Sequence, residues 1–163
     1  MLLVRSSSLE ATHRIAAAVA ACCRGGDTVV LAGEMGAGKT AFAQGVGQAL
    51  GVTTPMTSPT YTLVHSYDLD RRSPSSLHHA DLYRLTRTVE VADLGLDELA
   101  EYDGLVLVEW GDIVEGAFDD HLTVALSVDG DDQQARLIEV FATGSTWAPR
   151  WHDMQQRTLE FSS

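Results

Sequence analysis

The feature that most constrains this chain is an eight-residue run, Gly33-Glu34-Met35-Gly36-Ala37-Gly38-Lys39-Thr40, set between two apolar segments. Before it, Thr28-Val29-Val30-Leu31-Ala32 has strand length and is apolar almost throughout, as a strand covered on both faces tends to be. After it, Phe42, Val46 and Leu50 recur at helical spacing until Gly51, which reads as a C-cap. The run fits G-x-x-x-x-G-K-[ST], the Walker A pattern, and the strand-loop-helix setting is the one that gives this pattern meaning.

Each fixed position has a physical reason. The glycines let the backbone wrap a polyphosphate in conformations that a Cβ forbids. Wrapped amides point inward as an anion nest. The helix that follows aims its positive end at the same anion. Lys39 reaches the β- and γ-phosphates, and the Thr40 hydroxyl is suited to ligate Mg²⁺. The expected phosphate cradle is therefore Gly33, Glu34, Met35, Gly36, Ala37, Gly38, Lys39 and Thr40, with Ala41 adjoining it. Lys39 is also the only lysine among 11 basic residues.

The remaining pattern predicts one α/β domain with a mixed sheet flanked by helices, a P-loop NTPase-like architecture spanning 1–163. Met1 to Cys23 is Ala-rich, but Glu10, His13 and Arg14 interrupt it, so it reads as an amphipathic helix over 9–24 rather than an export signal. Thr62–Leu69 and Ser76–Leu82 read as a β-hairpin around Asp70–Ser75. Thr88–Leu99 reads as a helix broken at Gly95. Leu105–Val108 is a second apolar strand. His121–Val128 and Ala135–Phe141 are two further strands. The ordered core is expected over about 5–143, with the polar segment 144–163 a loosely ordered C-terminal tail.

Composition excludes several classes. The net charge of −12, with 23 acidic residues against 11 basic, opposes autonomous nucleic-acid binding, and the one basic pair is Arg71-Arg72. That acidity suits solubility or docking onto a basic protein. No apolar run approaches the ~20 residues of a membrane span. Without an export signal, the expected compartment is the cytoplasm. Cys22 and Cys23 are adjacent and lack zinc or redox spacing, so they read as small residues at a helix end. None of the six histidines pairs with Cys or Glu at metal-ligand spacing, and they read as strand or loop residues without a catalytic role.

A magnesium-bound triphosphate usually requires a second acid at a neighbouring strand end, and Leu105-Val106-Leu107-Val108-Glu109 has that form. Asp81, in His79-Ala80-Asp81-Leu82-Tyr83-Arg84-Leu85, could work near phosphate or form an ion pair with Arg84 or Arg87. Thr60 follows a loop bracketed by Pro55 and Pro59. It could sense the γ-phosphate or simply begin a strand. Trp110 could shield the site, meet a partner or fill the core.

Four blocks taken together resemble the TsaE (YjeE) family: residues 33–40, Ser58-Pro59-Thr60-Tyr61-Thr62-Leu63-Val64, 79–85, and Val108-Glu109-Trp110-Gly111-Asp112. The likeness runs from about residue 9 to residue 141. It implies an ATPase, weak alone, required for threonylcarbamoyladenosine modification of tRNA at the adenosine beside the anticodon. It implies ATP and Mg²⁺ as cofactors. It also implies TsaB and TsaD type proteins as partners, with tRNA met only through that complex and no membrane. On the family pattern Lys39, Asp81, Glu109 and Thr60 are the catalytic set. Glu34-Met35 and Gly111 depart from the family's usual Asp-Leu and proline. The alternatives are a P-loop small-molecule kinase, which needs an acceptor pocket and lid, and a module that holds nucleotide without turning it over.

Overall fold

The computed structural model describes residues 1–59, 63–85, 88–114 and 116–162. It is a single seven-stranded mixed sheet in the order β1-β7-β6-β2-β5-β4-β3. The strands are β1 (Leu2–Ser6), β2 (Thr28–Ala32), β3 (Val64–Asp68), β4 (Ser76–Asp81), β5 (Gly104–Glu109), β6 (His121–Asp129) and β7 (Asp132–Thr143). The helices are α1 (Leu9–Cys22), α2 (Lys39–Leu50), α3 (Thr88–Ala92), α4 (Leu96–Glu101) and α5 (Trp151–Thr158).

The centre of the sheet, β6-β2-β5-β4, is parallel, and β3, β7 and β1 pair antiparallel at its flanks. β2 and β5 are buried at every position, which explains their uninterrupted apolar sequence. Alternate side chains of the sheet meet two layers. Ile15, Val19, Phe42 and Val46 from α1 and α2 pack with Leu31, Leu107, Ile138 and Val140 on one face. Val91, Leu96 and Ala100 from α3 and α4 pack with Ala80, Val106 and Val108 on the other.

The helix expected over 9–24 is α1, which begins at Leu9, where the Ser8 hydroxyl caps the Ala11 amide at 3.1 Å. The residues before it form β1, which pairs along β7. One expectation needs correction. The segment 144–163, read as a loose polar tail, is instead a packed element through residue 162. Trp147 and Met154 are buried in the main core. The Arg150 guanidinium forks onto both Asp27 oxygens at 2.5 and 2.9 Å, with both residues buried. Gly95 does break the 88–99 helix into α3 and α4, at φ 66. Cys22 and Cys23 are free thiols, and burial and the neighbouring Asp153 carboxylate push the Cys22 pKa up to about 11. Among the described residues no helix is long and apolar enough to cross a membrane.

Candidate functional site

The parallel strands β2, β4 and β5 all end at the same edge of the sheet, the carboxyl edge where open α/β sheets place their ligands. The loop from Gly33 to Gly38 leaves β2 there and turns into α2. Gly33 must be glycine, because a Cβ would collide with the Leu126 carbonyl of β6. Gly38 caps α2 at φ 108, a left-handed conformation that other residues rarely adopt. The 12-residue α2 thus starts at the loop with its free amides facing the cleft.

Lys39 is buried, and its ammonium folds back to donate to the Gly33 carbonyl at 2.5 Å and the Glu34 carbonyl at 2.8 Å. Burial pushes its pKa below the ordinary lysine value, while Glu109, Asp112 and Asp81 pull the other way. The Trp110 ring lies over the ammonium, 3.7 Å from its centroid. Trp110 holds φ 64, a region costly for a bulky residue, and such strain concentrates at functional sites. This turn directly after β5 places the ring beside both Lys39 and Tyr83, whose ring centroid is 5.0 Å away.

The acids converge on the same place. β4 pairs with β5 so that Asp81 is opposite Glu109, and both are buried. Glu109 accepts the Thr40 hydroxyl at 2.7 Å through one oxygen, and His79 Nε2 lies 2.6 Å from the other. Asp81 accepts the Ser58 hydroxyl at 2.8 Å and the Tyr83 amide at 2.9 Å. The cleft they share measures about 380 Å³ and includes Lys39, Thr40, Asp81, Glu109 and Trp110 in its walls, with Met35 and Tyr83 exposed at its mouth.

Most of the sequence-predicted site is therefore brought together: Met35, Gly36, Gly38, Lys39, Thr40, Ala41, Asp81, Glu109 and Trp110 line the cleft, while Gly33, Glu34 and Ala37 do not. Thr60 lies outside the described residues, as do Tyr61, Thr62 and Arg87. Arg71 and Arg72 are exposed in the β3–β4 turn and do not enter the cleft. The histidines read as strand or loop residues, and His79 is on strand β4, fully buried beside Glu109. Its Nδ1 has no partner among the described residues. One signal was available, since His79 stands two residues before Asp81 on a strand and so shares its face.

Residues 6–138 match the family model of "Threonylcarbamoyl adenosine biosynthesis protein TsaE". The chain belongs to the TsaE family. A TsaE protein of Bacillus subtilis is 38% identical over 144 residues, covering 88% of this chain and 87% of that protein. A TsaE protein of Streptomyces coelicolor is 37% identical over 129 residues, covering 77% and 86%. Both carry the name tRNA threonylcarbamoyladenosine biosynthesis protein TsaE. The crystal structure of Bacillus subtilis YdiB superposes with a TM-score of 0.74 at 31% identity, covering 98% of this chain and 94% of that one. The coverage of the YdiB superposition places the C-terminal segment inside the shared architecture, beyond the end of the TsaE family match.

Proposed function

We propose that this TsaE family chain is an ATP hydrolase of tRNA threonylcarbamoyladenosine biosynthesis. In this reading it acts in the cytoplasm through ATP-dependent interaction with TsaB and TsaD type proteins, and reaches tRNA only through that complex. The observation that supports it best is the convergence of four groups on one cleft: the Lys39 ammonium, the Thr40 hydroxyl and the Asp81 and Glu109 carboxylates.

The residues fit a magnesium-bound triphosphate. Lys39 is a buried ammonium that donates to two carbonyls of its own loop, contacts it can exchange for phosphate oxygens. The Gly33–Gly38 backbone and the α2 amides supply neutral donors to an otherwise acidic protein. The Thr40 hydroxyl would hold Mg²⁺, with Glu109 reaching the ion only through water. Mg²⁺ in such a site draws the rest of its oxygen ligands from phosphate and water. When bound, Mg²⁺ neutralises charge developing on the phosphates.

The chain's own groups then have defined tasks. Lys39 binds and orients the terminal phosphates. Glu109, held by Thr40 and His79, orients water and accepts its proton as that oxygen bonds to the γ-phosphorus and the bond to the β-phosphate oxygen breaks, giving ADP and phosphate. Asp81, positioned by Ser58 and the Tyr83 amide, supports the water from the adjacent strand. Thr60 is proposed as the γ-phosphate sensor of the loop that carries Ser58. Arg84 is in the wall of the cleft and is assigned no part in the transition state; slow turnover until a partner completes the site belongs to this proposal.

The test is phosphate release from ATP by the chain alone, with TsaB–TsaD added, and with metabolite acceptors added. The proposal expects slow release alone, stimulation by TsaB–TsaD, and loss of both in Lys39→Ala. ATP-dependent phosphorylation of an acceptor without TsaB–TsaD stimulation would make the chain a kinase instead.

A further inference from the structure

Arg136 breaks the alternation of β7. Ile138 and Val140 are fully buried against the α1–α2 layer, and Arg136, two residues earlier, projects to that same face. An apolar residue would extend the core there. Instead the guanidinium reaches the glycine-rich loop. Its Nε–H donates to the Ala37 carbonyl at 2.8 Å, and one terminal nitrogen approaches the Gly36 carbonyl at 3.5 Å. The other terminal nitrogen is held by the carbonyls of Gln133 at 2.7 Å and Ala135 at 2.9 Å. The fork is thereby fixed at its base and presents its remaining donors to the loop.

A trans peptide places its C=O and N–H on opposite sides. Turning the Ala37 carbonyl toward Arg136 therefore turns the Gly38 amide away from it, to the side on which Gly38 lines the cleft. Glycine at 36 and 38, at φ 80 and φ 108, leaves this peptide few steric limits, and its neighbours are held by the Ala37 amide on the Glu34 carbonyl at 3.1 Å and the Phe42 amide on the Gly38 carbonyl at 2.9 Å. Arg136 also lies close to the Gly38 α-carbon: a Cβ there would come within 3.6 Å of Nε.

We propose that Arg136 is a positioning residue of the nucleotide site. It presets the 36–38 peptides so that the Gly38 amide faces the phosphates, and it acts through backbone carbonyls without touching the ligand. The inference rests on the reading of this cleft as a magnesium–triphosphate site.

The test compares the full chain with Arg136→Met, Arg136→Lys and Arg136→Ala. Titration calorimetry with Mg·ATP is paired with thermal melts, and amide NMR follows the ligand-free proteins. Arg136→Met is expected to bind Mg·ATP about tenfold more weakly, with its Gly38 amide resonance moved and its fold retained. Arg136→Lys should recover only part, because an ammonium lacks the fork. Low-millimolar guanidinium should restore part of the affinity lost in Arg136→Ala. Undiminished binding by Arg136→Met overturns the proposal. So does weakened binding that tracks a lower melting temperature without guanidinium rescue, which would make Arg136 a brace of the fold alone. Failure of the unsubstituted chain to take up Mg·ATP would instead remove the nucleotide-site reading, and this inference with it.

Discussion

His79 and Glu109 meet in the protein interior, Nε2 to Oε2 at 2.6 Å, on adjacent parallel strands. With Thr40 on its other oxygen, the Glu109 carboxylate is fixed at both ends before any ligand arrives. A carboxylate left free to rotate could not hold one geometry toward water, so this pair links the strand register to the chemistry proposed for the cleft.

His79→Leu removes the donor but keeps the bulk. It is expected to destabilise the fold by about 2 kcal/mol, because a buried carboxylate loses a charge-assisted hydrogen bond. ATP turnover should fall more than ATP affinity. His79→Gln, which returns an N–H near the Nε2 position, should recover part of the turnover. Equal turnover in the Leu and Gln variants would count against the positioning role.

Lys39 offers a chemical readout. As the sole lysine, it and the N-terminal amine are the only primary amines available to an acylating reagent. The N-terminal Met1 is exposed, whereas Lys39 is buried and bonded to two carbonyls. Mass spectrometry should find Met1 modified quickly and Lys39 slowly, and Mg·ATP should slow Lys39 further. Fast labelling at both sites, indifferent to nucleotide, would contradict the arrangement.

The C-terminal segment should be needed for stability. Arg150→Met takes the charged partner from the buried Asp27 carboxylate, which keeps the Arg24 amide at 2.6 Å, a change expected to cost about 3 kcal/mol in chemical denaturation. The reciprocal Asp27→Asn should also destabilise. A loss below 1 kcal/mol in both would mean that the pair behaves as a surface contact.

His78 gives a pH dependence with a definite sign. It is buried, with Ser66 Oγ at 2.7 Å from Nδ1 and Ser76 Oγ at 3.0 Å from Nε2. Burial pushes its pKa below 6.5, with Asp68 opposing. The unfolded chain therefore binds this proton more readily, and stability should fall as pH drops below 6.5 until the folded-state pKa is passed. His78→Asn should flatten melting temperature against pH in that window. An unchanged slope would assign the dependence to other groups.

What was legible in the sequence was local. The Gly33–Thr40 loop, β2 and the start of α2 are contiguous, and each is specified by its own residues. Glu109 could be found because an acid ending a fully apolar strand is a local pattern. β1 is not legible locally because its five residues gain their place by pairing with β7, 130 or more positions away. The segment after Gly144 was misread because its surface is polar. Its core residues, Trp147, Met154 and Thr158, are few but lie seven and four apart, the spacing of one helical face. His79 and Arg136 make their contacts with neighbouring elements, and no single-strand pattern reports those.

The most direct test is calorimetric titration of the folded chain with ATP, with and without Mg²⁺, beside Lys39→Ala and Thr40→Val. The account predicts one magnesium-dependent site, abolished in the Lys39 variant and stripped of its magnesium dependence in the Thr40 variant. Absence of binding by the parent chain, even with TsaB–TsaD supplied, or binding unaltered by both substitutions, would contradict it.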